Sequence, residues 1–154
     1  MREHVVRAEP LTSQGFAPFG QVVGRDEVVI ERRGDEEFHL DVLSYDHKPL
    51  EFTVLNRHHN ATQALIALNG KPTVVLVGPK GLAFDDETHL SHLRAFLCDG
   101  SAGINLALGT WHAGPYPLTD HVDLVNVQGR QVLANDVEEA HLARDLGVTV
   151  TIAL

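Results

Sequence analysis

From residue 21 onward the chain is a succession of short apolar runs, many of them β-branched, with turn residues between them. The runs fall at 28–30, 40–45, 52–55, 64–68, 73–77, 93–97, 104–108 and 121–127. Asn69-Gly70, Gly78-Pro79-Lys80-Gly81 and Asp99-Gly100 separate several of them. Asn-Gly and Asp-Gly tolerate the positive φ that tight hairpins demand. Residues 148–154 alternate Val, Thr, Val, Thr, Ile, Ala, Leu, the period of a half-buried last strand. Roughly nine or ten such strands must close on themselves to hide their edges, so the expected class is an all-β sandwich or barrel. Helix is expected in two short places. Residues 10–20 read as a helical turn capped by Thr12 or Ser13, anchored by Phe16 and Phe19 and ended by Pro18 and Gly20. Residues 137–145 read as a second helix, with Asp136 as cap and Gly147 as stop. The charged stretch 24–37 reads as a mobile loop or a weak edge hairpin. With 154 residues, 44% of them hydrophobic, a single domain over 1–154 suffices.

Charge narrows the partners. The formal net charge is −9, with 21 acidic against 12 basic side chains, and the only basic pair, Arg32-Arg33, is surrounded by acids. Nucleic acid is therefore not an expected partner. A small carboxylate is, because a few local cations outweigh the global field at close range. There is no apolar run of membrane-span length and no signal-peptide stretch after Met1, so a cytoplasmic protein away from membranes is expected. The single Cys98 lies in an apolar run and reads as a buried structural thiol.

Of the ten histidines, His4, His47, His89, His92 and His141 have polar or terminal surroundings and read as surface groups. His39 and His121 flank apolar runs. His58, His59 and His112 are more informative. The stretch from Arg57-His58-His59 through Gln63 to Asn69-Gly70 resembles the first motif of the cupins, which sets two histidines one residue apart, then a glutamate, then a glycine turn. Such alternation sends residues i and i+2 of a strand into one barrel interior. Here Arg57 stands at the first histidine position and Gln63 at the glutamate. Ala107-Leu108-Gly109-Thr110-Trp111-His112 resembles the second cupin motif. The resemblance implies a double-stranded β-helix, a cupin-like barrel with short N-terminal and C-terminal helical segments. An amide oxygen is a weaker donor than a carboxylate, so His59, Gln63 and His112 are only weak candidates for a divalent metal, and no cofactor is required.

A narrower resemblance runs along most of the chain. Arg57-His58, Thr62-Gln63-Ala64 and Gly70 are followed by Leu93-Arg94-Ala95-Phe96, Gly103-Ile104-Asn105 and Gly109-Thr110-Trp111-His112. Together with Pro10-Leu11, Phe16 and Phe19-Gly20 at the start and Asp136-Val137-Glu138 near the end, these are similar to the ureidoglycolate lyase (ureidoglycolate hydrolase) family. That resemblance implies cleavage of ureidoglycolate to glyoxylate and urea in allantoin and purine catabolism, and a homodimer.

Such a cleavage needs a base for the substrate hydroxyl, a proton for the departing urea nitrogen and a cation for the carboxylate. Histidine suits proton transfer near neutrality, and the planar fork of arginine suits a carboxylate. The expected catalytic residues are therefore His112 as base and His58 as a second proton-transfer group. Arg57 and Arg94 are expected as carboxylate clamps, Gln63 and Asn105 as partners of the ureido group, and Trp111 as an apolar wall. The residues also leave open a cupin enzyme for another small hydroxy or ureido acid, and a non-catalytic cupin that binds a small acid. They equally leave open Trp111 as core filler, Arg94 as a surface group and Asn105 as a turn or bulge residue.

Overall fold

Thirteen strands carry the fold: β1 (Arg2–Pro10), β2 (Gly20–Val23), β3 (Phe38–Asp46), β4 (Glu51–Phe52), β5 (Val54–Arg57), β6 (Gln63–Ala67), β7 (Thr73–Gly78), β8 (Arg94–Cys98), β9 (Gly103–Leu106), β10 (Trp111–Pro117), β11 (His121–Gly129), β12 (Glu138–His141) and β13 (Val148–Ala153). Three short helices accompany them, α1 (Ser13–Phe16), α2 (Val132–Asn135) and α3 (Leu142–Leu146). The computed structural model describes the backbone of residues 1–154 and all their side chains except that of Leu133.

The strands form two curled sheets, ordered β12-β5-β10-β7-β8-β1-β13-β4 and β2-β9-β6-β11-β3. They face one another as an all-β, cupin-like barrel with few short helices. Pairing is antiparallel except at β1, which runs parallel to β13 over Arg2 to Arg7 and then parallel to β8 over Ala8 to Pro10. β7 shows how the core is shared. Its six residues, Thr-Val-Val-Leu-Val-Gly, are buried throughout. Val75 and Val77 turn into the space between the sheets, with Phe16, Phe19, Phe96, Ile104 and Leu124. Val74 and Leu76 turn to the back of the larger sheet, with Leu55, Ala95, Trp111 and Val150. Burial on both faces explains why this run is continuously apolar rather than alternating; each such side chain contributes about 1.5–3 kcal/mol by leaving water. Cys98 is buried in the first of these clusters, and burial pushes its thiol up to about 11.

The turn after β8 needs its glycine. Gly100 has φ +92, and a Cβ there would lie 2.1 Å from the carbonyl oxygen of Gly70, in the turn between β6 and β7. Thus Asp99-Gly100 and Asn69-Gly70, both read as turns, also pack on each other.

The structure departs from the sequence reading at identifiable places. Thr12 caps α1 as expected, its hydroxyl accepting from the Gly15 N–H. Residues 138–141 are strand, not helix, because they pair with β5 and bury Ala140. The helix begins only at Leu142 and ends at Gly147, in the left-handed conformation expected of a stop. Residues 28–30 form no strand. The stretch 24–37 instead holds on through one bridge, Arg32 to Ala61, and through Glu31 bonded to Thr62. β10 carries two prolines and a glycine, which hide its strand character. It is nonetheless a central strand between β5 and β7, with a register shift between Ala113 and Tyr116 absorbing the irregularity.

Candidate active site

At one end of the space between the sheets lies a cavity of about 530 Å³. Strand alternation selects its wall. On β3 His39, Asp41, Leu43 and Tyr45 line it, on β5 Val54 and Asn56, and on β6 Gln63 and Leu65. On β10 the register shift breaks the alternation, so His112, Ala113, Gly114 and Tyr116 all line it. His58, just past β5, joins them.

The two imidazoles form the chemical centre, with ring centroids 5.2 Å apart. His58 Nδ1 stands 2.8 Å from the carbonyl oxygen of Asp136, and His112 Nδ1 stands 3.2 Å from that of Thr110. A carbonyl only accepts, so each Nδ1 carries the proton and each Nε2 keeps a free lone pair. Both rings are shifted towards the neutral form. Burial lowers the pKa of His112 to about 4, helped by the nearby His58 and only partly opposed by its bond to Thr110. Burial also lowers that of His58, against the opposing hydrogen bond to Asp136. At neutral pH the cavity therefore holds two uncharged bases side by side.

Asp136 organises this corner from behind. It is 5% exposed, and its carboxylate accepts from the backbone N–H of His59 and of Asn60 at 2.9 and 3.0 Å. It does not open the helix expected from the sequence, because residue 137 leads into β12; it closes α2 instead, its backbone N–H donating to the Val132 carbonyl. It pins the turn that presents His58.

The low pKa of His112 has a sign that can be checked. On acidification the unfolded chain binds this proton near pH 6.5, whereas the folded chain resists until about pH 4. Stability contributed by this group is thus constant above 6.5 and falls as pH drops through that window, by ~3 kcal/mol in all. Urea titrations at pH 7 and pH 4.5 are expected to show a drop that is clearly smaller in His112→Asn. An identical drop in both proteins would contradict this origin.

Of the residues expected from sequence, His58, Gln63 and His112 meet at the cavity, and the others do not. Arg57 alternates with Asn56 and emerges on the opposite face of β5. There it pairs with Glu138 at 2.7 Å and stacks 4.1 Å from the Trp111 ring centroid. Trp111 sits in the core behind the larger sheet, its indole N–H donating to the Leu82 carbonyl at 2.7 Å. Arg94 is bonded to Glu9 and stacks on Phe96 away from the cavity. Asn105 pairs across from Ala64, one residue out of phase with Gln63, and so lies buried on the other face of its sheet, donating to Gln21 and the Val29 carbonyl. His59 faces outward, 3.0 Å from Glu138, in a separate depression with Arg33, Arg57 and Lys80.

The metal candidates therefore fail to converge, since His59 stands on the other side of the wall from Gln63 and His112. Among the described residues no group of three or more His, Cys, Asp or Glu side chains is placed to hold a metal ion. The donor set does not fit a divalent cation, and no chemical step is derived through one.

Sequence reasoning missed Lys48, Asp41, Asn126 and Tyr116. Lys48 lies at the mouth, its Nζ 3.7 Å from the Tyr116 ring centroid and 5.7 Å from that of Phe52. Among the described residues it is the one lysine or arginine lining the cavity. Its position follows from the chain reversal between β3 and β4, where Pro49 directly follows it.

A cupin-like barrel with a small-molecule cavity built around two neutral histidines is the class that fold and site define. Comparison with known proteins makes this specific. The sequence profile described as ureidoglycolate lyase matches residues 27–149. Ureidoglycolate lyase of Burkholderia mallei is 31% identical, over 92% of this chain and 91% of its own length. That of Pseudomonas savastanoi pv. phaseolicola is 29% identical over 93% and 92%, and that of Pseudomonas aeruginosa 29% over 91% and 92%. The chain belongs to the ureidoglycolate lyase family, as its motifs indicated, and is a lyase of that kind. Among the described residues no helix is long and apolar enough to cross a membrane.

Proposed function

We propose that this protein cleaves ureidoglycolate to glyoxylate and urea, with His112 and His58 moving the proton. The observation that carries the reading is the pair of neutral imidazoles, each locked by a backbone carbonyl so that Nε2 is its basic atom. The hydroxyl proton of the substrate passes to Nε2 of His112. The oxygen lone pair closes the aldehyde C=O of glyoxylate as the C–N bond breaks. The proton then goes to the departing nitrogen, directly or through His58, and completes urea. One proton circulates, so neither histidine has to start charged, and burial favours its rapid return. Incubation with ureidoglycolate and detection of both glyoxylate and urea tests the reading, and absence of both products from folded protein overturns it.

The carboxylate needs a cation, and Arg57 and Arg94 are committed elsewhere. Lys48 takes that role in this proposal, its ammonium lodged against Tyr116 at the cavity mouth. Lys48→Met is expected to raise KM by roughly 10-fold while changing kcat much less, as for loss of one solvent-exposed ionic contact. An unchanged KM would remove Lys48 from substrate binding.

Acid–base chemistry by these residues requires no metal in this reading. Activity is expected to survive exhaustive treatment with EDTA, with metal analysis of the same sample. Loss of activity that divalent metal restores would overturn the point.

The family's homodimer is part of the same proposal. Leu40 and Val42 on the edge strand β3 point outward and are exposed, which supports burial against a second copy. Sedimentation equilibrium decides between monomer and dimer. A cytoplasmic place in allantoin and purine catabolism follows from the proposed substrate and is tested by the growth of a deletion strain on allantoin as nitrogen source.

A further inference from the structure

Three side chains on three neighbouring strands form a chain of hydrogen bonds that runs from the half-exposed Asp41 inward to the buried Gln63. Asn126 of β11 is wholly buried, and its Nδ2 donates to Asp41 Oδ1 on β3 at 2.7 Å. Gln63 of β6, 6% exposed, donates from Nε2 to Asn126 Oδ1 at 2.9 Å. Gln63 Oε1 is left buried at the cavity with no hydrogen-bond partner while the rings are neutral, close enough to His58 to favour the protonated form of that imidazole.

The direction of this chain follows from chemistry. A carboxylate only accepts, so Asn126 must turn its NH₂ to Asp41. Its carbonyl oxygen must then face Gln63, which can only answer with its own NH₂. Flipping either amide would set two oxygens, or two NH₂ groups, against each other. Asp41 thereby determines, through two amides, that Gln63 offers the cavity an acceptor and nothing else.

We infer that Asp41 and Asn126 are positioning residues which lock Gln63 as an acceptor, so that the inner cavity recognises the N–H groups of a ureido terminus. The inference rests on the proposed lyase reading and deepens it. The neighbouring Nε2 atoms of His58 and His112 are acceptors as well, so the inner end offers three lone pairs to a ligand. A ureido NH₂ and a hydroxyl supply donors there; a carboxylate supplies none and is repelled. Substrate accordingly enters with its ureido end inward and its carboxylate at the Lys48 mouth. A buried site built to bond a donor discriminates strongly against an analogue lacking it, because its own oxygen is left unpaired.

Two uncleavable probes test this by calorimetric titration. Ureidoacetate keeps the ureido group but lacks the hydroxyl, and N-acetylglycine replaces the terminal NH₂ by methyl. Wild-type protein is expected to bind ureidoacetate at least ~10-fold more tightly. In Gln63→Leu the ratio should fall to about one, and in Asp41→Asn, whose new amide permits the flipped chain, it should fall several-fold with Tm kept. Thermal melts show whether each variant is folded. Should a variant fail to fold, the wild-type ratio stands as the test, joined by an NMR measurement of hydrogen exchange at the Gln63 side-chain NH₂, slow if it donates to Asn126. A wild-type protein that cleaves ureidoglycolate yet binds both probes alike, or a ratio untouched in folded Asp41→Asn, overturns the inference and leaves the lyase reading standing. Failure to cleave ureidoglycolate overturns both, and cleavage without binding of either probe overturns the inference alone.

Discussion

Replacing His112 by asparagine is expected to lower turnover of ureidoglycolate by ~10²- to 10⁴-fold, the range for loss of a positioned general base. Asparagine keeps a donor where Nδ1–H met the Thr110 carbonyl, so the local backbone has its partner, while the lone pair of Nε2 is gone. A melting curve close to wild type then assigns the loss to chemistry. His58→Asn should be damaging too. If the two rings pass one proton between them, the double variant will be little worse than the poorer single one, because residues acting as a unit are not additive. A fully multiplicative double variant would mean that they act separately. An unimpaired His112→Asn enzyme would remove the assignment of base.

The second large effect concerns Asp136, which touches no substrate. Asp136→Ala removes a carboxylate that two part-buried backbone N–H groups donate to. Leaving them unpaired costs about 2 kcal/mol, the low end of 1–3 kcal/mol for each unsatisfied donor because both are part-buried. In a domain of this size that lowers Tm by roughly 4–8 °C. Activity should fall as well, since the turn from His58 to Asn60 loses its anchor while the carbonyl that holds His58 Nδ1 belongs to the same residue. Asp136→Asn retains one acceptor oxygen and is expected to lie between. Differential scanning calorimetry and the glyoxylate assay report the two effects independently. A variant as stable and active as wild type would show that the loop is held by other means.

The sequence alone settles the class of fold, and the reason is local. β-branched runs, Asn-Gly and Asp-Gly turns and the alternation of the last strand are encoded within a few residues of one another. Thr12 as cap of α1 and Gly147 as stop of α3 were legible for the same reason. Motif order also revealed the family and singled out His58, Gln63 and His112, whereas the alternation read into the cupin motif set Arg57 and His59 at the inward positions and the structure turns both outward. What remained illegible depends on contacts far apart in sequence. β1 exists because β13 and β8 pair with it, and β10 is a strand despite Pro115 and Pro117 because β5 and β7 enclose it. Residues 138–141 carry a helical pattern that pairing with β5 overrides.

The same division runs through the candidate site. Arg57, Arg94 and Asn105 have the right chemistry for a small ureido acid, but each points away from the cavity. A single residue of phase on a strand sends a side chain to the opposite face, and Arg57 and Asn105 lie on the wrong side of that alternation. Lys48 and Asp41 carry no motif and reach the cavity, with Asn126 buried between Asp41 and Gln63, only because β3, β11 and β6 lie side by side and the chain turns back at the mouth. So the sequence determined the barrel, the family and the two histidines. Tertiary structure decided which cation meets the mouth and which way the buried amides face, since both depend on strands that become neighbours only when the barrel closes.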